Sequence, residues 1–217
     1  LYLSNKFKTM KIENDDPIVP LLGSVSEESQ RQFLDGLTSV HTRLSTAGAV
    51  TLQATYYLFG LLQGFGLQPV LFYYDNGYPP DVCADIVGSL EPEKLVVVGA
   101  HYDDRSADIQ NTTVRAPGAN DDGSGCSLLQ EVARILSGSG YSFRYTTRFC
   151  FWSGEEQGLL GSSAYADALQ SNGTTVVGML QADMVGYLTP GKPFGVDMAS
   201  RETNSALTDL VNQITAA

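Results

Sequence analysis

Leu95-Val96-Val97-Val98-Gly99-Ala100-His101-Tyr102-Asp103 is the stretch on which the reading of the fold turns. Its first four residues are apolar without alternation, the pattern of a strand covered on both faces rather than one. Residues 95–100 are therefore expected to form a central strand. In open α/β sheets ligands collect just beyond the carboxyl ends of the strands, so polar residues placed directly after an apolar run are the ones to question. Here they are an imidazole and, two positions on, a carboxylate.

Working outward, residues 69–74, 82–87, 146–152 and 176–182 are further short β-branched or aromatic runs bounded by turn residues, and read as strands. Residues 49–63, 127–136, 159–169 and 204–214 carry helical spacing of apolar residues. Ser24 followed by Glu27 reads as a capping box opening a helix that runs to about residue 40. Residues 1–25, broken by Pro17, Pro20 and Gly23, read as an irregular arm. Strands alternating with helices imply an α/β fold, a three-layer sandwich with a mostly parallel mixed sheet flanked by helices. The length of 217 residues fits one domain.

Four polar clusters follow apolar runs. In the first, His101 leaves the central strand and Asp103 stands close enough in sequence to orient it, since a ligand imidazole usually gives its other N–H to a carboxylate or carbonyl. The second is Gly118-Ala119-Asn120-Asp121-Asp122-Gly123-Ser124-Gly125, just before a helix. Acids there are ordinary N-caps, but small residues also let the backbone approach a site closely enough to aim a carboxylate at a cation. The third, Ser153-Gly154-Glu155-Glu156-Gln157-Gly158, sets two acids side by side, a repulsion relieved when one binds a cation and the other takes a proton. The fourth, Gln181-Ala182-Asp183-Met184, again ends a strand on a carboxylate. One imidazole among several carboxylates suits zinc better than an all-oxygen calcium cage.

Composition narrows the partners. Thirteen basic against twenty-four acidic residues give a net charge of -11, which repels phosphate backbones and anionic lipid. Nucleic acid and membrane are accordingly not expected as partners. No apolar run is long enough to span a bilayer, and no signal peptide precedes Leu1, so the chain reads as a mature or trimmed form. The sequons at Asn111 and Asn172 are expected to be glycosylated in a secreted protein. Cys83, Cys126 and Cys150 lie in apolar surroundings without zinc-knuckle or redox spacing; they read as buried thiols, with disulfide pairing left open.

The four clusters, in this order and at these intervals, resemble the secreted bacterial and fungal leucine-type aminopeptidases with two co-catalytic zinc ions, over a stretch from about His41 to Asp183. The resemblance implies that His101, Asp121 and Asp183 hold one zinc. It implies that Asp121 bridges to a second, which Glu156 also binds, and that Glu155 is the general base and acid. It further implies a cis peptide at Asp121-Asp122 and a place for Met184 in the substrate pocket, favouring an apolar first residue of a peptide substrate. The family supplies one more histidine well downstream of Asp183. His41, the other histidine here, matches the amino-terminal region instead and is expected to be structural. The chain is thus expected to be truncated, lacking its last strands and leaving apolar sheet surface uncovered, with the absent C-terminal segment as its natural partner. The rival readings are a glutaminyl-peptide cyclotransferase of the same fold and an inactive fragment.

Overall fold

The computed structural model describes residues 18–109, 111–192 and 204–215. Five strands, β1 (Val70–Phe72), β2 (Asp81–Ile86), β3 (Glu91–His101), β4 (Tyr145–Trp152) and β5 (Thr175–Gln181), form one open sheet in the order β1-β2-β4-β3-β5. The helices are α1 (Ile18–Leu22), α2 (Glu27–Leu37), α3 (Ala49–Gly64), α4 (Gly123–Gly138), α5 (Leu160–Ser171) and α6 (Ser205–Thr215). The chain divides into two compact units. Val25–Gly186 contains the whole sheet with α2 to α5; the smaller unit contains α1 and α6.

The sheet is mixed as expected, but its parallel part is narrower than "mostly" implied. β3 pairs in parallel with β4 and β5, while β1 with β2 and β2 with β4 are antiparallel. The three layers follow from the alternation of side chains along each strand. Phe149 and Phe151 of β4 join Val82, Ala84 and Ala100 on one face, under Phe33 of α2, Leu58 and Leu62 of α3, and Leu129 of α4. Cys150 and Trp152 point the other way, packing with Cys83, Leu95, Val97 and Tyr165 of α5.

Three local readings are corrected. The cap of α2 is Ser26, not Ser24: its side chain accepts the Ser29 N–H at 3.1 Å, and the helix ends at Leu37. The Ser26 N–H goes to Glu131 of α4 at 2.7 Å, so the acid that completes this capping box comes from another helix. Burial works against the Glu131 charge, but Arg134, Ser26 and Ser29 outweigh it and hold the carboxyl down at about 2. Part of the expected irregular arm, Ile18–Leu22, is the short helix α1; residues 1–17 lie outside the described residues. Cys83 and Cys150 are not thiols but a disulfide between register partners on β2 and β4; Cys126 is free and buried.

A candidate metal centre at the strand ends

Register brings the candidate residues together. His101, the last residue of β3, is level with Trp152 at the end of β4, and Gly99 is level with Gln181 at the end of β5. The segments beyond β4 and β5 therefore begin beside His101, carrying Glu155 and Asp183. His101 Nε2 stands 3.1 Å from Asp121 Oδ1, 3.8 Å from Asp183 Oδ1 and 3.9 Å from Glu155 Oε2. His101, Asp121 and Asp183 each offer one ligand atom, all within 4.8 Å of one another.

The other side of the imidazole faces Asp103, whose Oδ1 is 3.5 Å from Nδ1, an ion-pair distance without hydrogen-bond alignment. Burial pushes the imidazole pKa down, but the Asp103 and Asp183 carboxylates outweigh it and raise it to about 11. Such a pocket favours positive charge at this point, and a metal cation satisfies the same demand in place of the proton. The donor set, one imidazole nitrogen and two carboxylates, fits zinc. Asp103 also accepts the backbone N–H groups of Glu155 and Glu156, both at 3.2 Å, and so seats the paired-acid loop against the histidine it flanks.

The two aspartates at the start of α4 divide the roles that the sequence left open. Asp121, with its side chain 41% exposed, points to the imidazole. Asp122 is the N-cap: Oδ1 accepts the Gly125 N–H at 2.8 Å. The helix starts at Gly123, four residues ahead of the expected Ser127, so the small-residue loop becomes its first turn. Asp122 also accepts the Met184 N–H and the His101 N–H, each at 3.2 Å. One buried carboxylate thereby ties together the segments carrying His101, Asp121 and Asp183. The Asp121–Asp122 peptide is cis. A Cβ at Gly125 would run into the Asp122 carboxylate and the Ala182 carbonyl, which explains the smallest residue there.

A second support lies far back in sequence. Arg43 is wholly buried. It donates from Nε to the Tyr102 carbonyl at 2.7 Å, from Nη2 to the Gly118 carbonyl at 3.0 Å, and from Nη1 to the Pro117 carbonyl. Its counter-charge is the equally buried Asp104, 3.4 Å away, which also accepts the Thr42 hydroxyl and the Arg43 N–H, both at 2.7 Å. The loops leading from His101 and to Asp121 are thus bolted to the same guanidinium. Gly118, at φ 51, has Arg43 Nη2 and Asp104 Cβ within 2.7 Å of where a Cβ would sit. His41 is exposed and bonds through Nε2 to the Thr113 carbonyl at 3.0 Å, away from the ligand group.

Glu155 is partly exposed, and burial, with repulsion from Asp103, Asp183 and Asp121, raises its pKa against the opposing pull of His101. Glu156 is not in the three-residue group; its Oε2 meets Arg105 Nε at 2.9 Å. Burial and Asp121 push its carboxyl up to about 7 although Arg105 opposes them. A cavity of about 270 Å³ opens beside Glu155 and Asp183, walled by Trp152, Leu159 and Met179. Met184, at φ 52 and 56% exposed, is outside that wall. Asn172 is exposed at the end of α5, and Asn111 sits in a loop with its Oδ1 turned onto Thr113. Asp122 was named from sequence only as one of the acids before the helix, without its hold on His101 and Met184; Arg43, Asp104 and Arg105 were not singled out.

A sheet that delivers an imidazole and carboxylates from separate strand ends, with Asp121 from the start of α4, forms a candidate metal centre on an α/β fold. The chain belongs to peptidase family M28, whose model matches residues 81–217. A probable zinc metalloprotease of Leptosphaeria maculans is 44% identical over 109 residues, 50% of this chain and 25% of its own length. Leucine aminopeptidase 1 of the same fungus is 31% identical over 97% of this chain and 57% of its own. The chain spans about half the length of such full-coverage relatives. The LapA aminopeptidase of Legionella pneumophila shares the fold at a TM-score of 0.71 and 24% identity, over 84% of this chain and 49% of that one. Bacterial glutaminyl cyclases share it at 19% to 22% identity.

Proposed function

We propose that the protein is a zinc-dependent aminopeptidase, secreted and glycosylated, that removes apolar amino-terminal residues from peptides. The observation that carries this is the placement of Glu155 Oε2, 3.9 Å from the imidazole of the three-ligand group. Zinc held by His101, Asp121 and Asp183, with a second ion shared by Asp121 and Glu156, would lower the pKa of a water and polarise the scissile carbonyl.

Glu155 would serve as general base and acid, taking a proton from the attacking water and handing it to the departing amine, work for which a raised carboxyl pKa suits it. Asp103 keeps the Glu155 backbone in place while this happens. Asp121 and Asp183, both partly exposed, offer negative charge to the α-ammonium of a peptide, which accounts for cutting from the amino end. The Trp152, Leu159 and Met179 cavity and exposed Met184 provide apolar surface next to Asp183. The Cys83–Cys150 disulfide and exposed Asn172 support an oxidising, extracellular setting.

Glu155→Gln should lower leucine release from a chromogenic amide by about a hundred- to ten-thousandfold, with zinc affinity unchanged. Retained activity in this variant sinks the reading. So does a wild-type protein that cyclises amino-terminal glutamine but releases no leucine.

A further inference from the structure

The loop that carries Glu155 has each of its first four N–H groups bonded to a side chain from elsewhere in the chain. Ser153 donates to Asp81 Oδ1 at 2.7 Å, Gly154 to Ser45 Oγ at 2.9 Å, and Glu155 and Glu156 to the two oxygens of Asp103 at 3.2 Å each. On the other edge, the carbonyls of Ser153, Gly154 and Glu155 accept the N–H groups of Gly161, Leu160 and Gly158 at 3.1, 3.0 and 2.8 Å. With donors and acceptors both engaged, the loop has little freedom to slide. Asp81 is the costly member of this set. It opens β2, is wholly buried, and spends its single side-chain hydrogen bond among the described residues on Ser153, while its Oδ2 is buried without a partner. Burying a carboxyl on one bond is expensive, and burial pushes its pKa up to about 8. A Cβ at Gly161 would collide with Asp81 Oδ1, so α5 closes over the acid and leaves it no room to turn. Acids kept at such a cost gather where a site needs them.

We propose that Asp81 is a positioning residue for Glu155: through the Ser153 N–H it fixes where the loop leaves β4, and so where the Glu155 carboxyl stands beside His101. This rests on the aminopeptidase reading above. Asp81 is neither in the three-ligand group nor among the residues that wall the cavity, so its effect falls on the proton transfer by Glu155 and not on the hold of metal or peptide. Asp103 fixes the loop at Glu155 itself; Asp81 fixes it two residues earlier, where the strand ends. A general base displaced by about 1 Å can lose a hundredfold in rate, so one buried bond at Ser153 has leverage on the chemistry.

Steady-state leucine release from a chromogenic amide and zinc titration by calorimetry, on the purified protein and its Asp81→Leu and Asp81→Asn variants, test this. Asp81→Leu fills the space but removes the acceptor; kcat and kcat/KM should fall together by about ten- to a hundredfold, with zinc affinity unchanged. Asp81→Asn keeps a carbonyl oxygen for the Ser153 N–H and should restore most of the rate. In a Glu155→Gln background, Asp81→Leu should lower the residual rate no further, because the two residues act as a unit. Wild-type kcat in Asp81→Leu, an Asn variant as impaired as the Leu one, or a loss of rate matched by a loss of zinc affinity overturns the proposal. Thermal unfolding shows which variants are folded, and Asp81→Ala takes the place of Asp81→Leu if the larger side chain prevents folding. A wild-type protein that binds zinc but releases no leucine would instead overturn the aminopeptidase reading.

Discussion

His101 leaves a strand paired on both sides, whereas Asp183 leaves one paired, among the described residues, on one side only. The imidazole is 1% exposed and the Asp183 carboxylate 44%. Around His101 lie Asp103, Asp104, Asp122 and Arg43, all buried and all engaged. Around Asp183 lies β5, with Val176, Val177, Met179 and Leu180 about two-fifths exposed. The interior half carries the rigidity that places ligands. The edge half presents the more exposed carboxylate. A centre assembled from both can be precise without being sealed.

The contrast predicts which substitutions cost stability and which cost binding. Arg43→Met should have the largest effect: it leaves Asp104 buried without its counter-charge, and loss of one partner of such a pair costs about 3 to 5 kcal/mol. Urea unfolding measures it, and a loss under about 1 kcal/mol would erase the distinction between the halves. Next comes a pH effect at Asp81 on β2. Burial raises its carboxyl to about 8, although the Ser153 N–H opposes this. The folded chain keeps a proton that the unfolded chain releases, so stability is greatest below the unfolded value and falls as pH rises toward 8. Asp81→Asn should flatten that slope by up to about 1.4 kcal/mol per pH unit, and an unaltered slope would remove Asp81 from the account. The smallest change in stability is expected at Asp183→Asn, within about 0.5 kcal/mol, while zinc affinity falls by more than about tenfold. A large loss of stability there would show that the edge is structural after all.

Much of this architecture could be read from local pattern. The unalternated run from Leu95 to Val98 is a central strand, and each of the four polar clusters does stand at the end of an element. The bonds that hold the centre were not legible, because they join residues far apart in sequence. Of the alternatives offered for the acids before α4, a helix cap or a cation ligand, Asp122 takes the cap, while Asp121 turns to His101 in a group that could hold a metal ion. Nothing near Arg43 marks it as buried, since its acceptors are carbonyls at positions 102, 117 and 118. Ser24 and Glu27 had the right spacing for a capping box, but the acid that serves the helix is Glu131, a hundred residues on, and only packing could reveal it. The Arg105–Glu156 pair likewise depends on where two loops end up.

Arg43 lies outside the span by which the family is recognised, which starts at Asp81. A chain trimmed to that span would keep every proposed ligand and the proposed base, yet leave Asp104 stranded in the interior and free three carbonyls that now anchor the loops around His101 and Asp121. The boundary drawn by likeness and the boundary drawn by mechanics do not coincide. For anyone dissecting this protein, the smallest self-sufficient piece begins upstream of its signature.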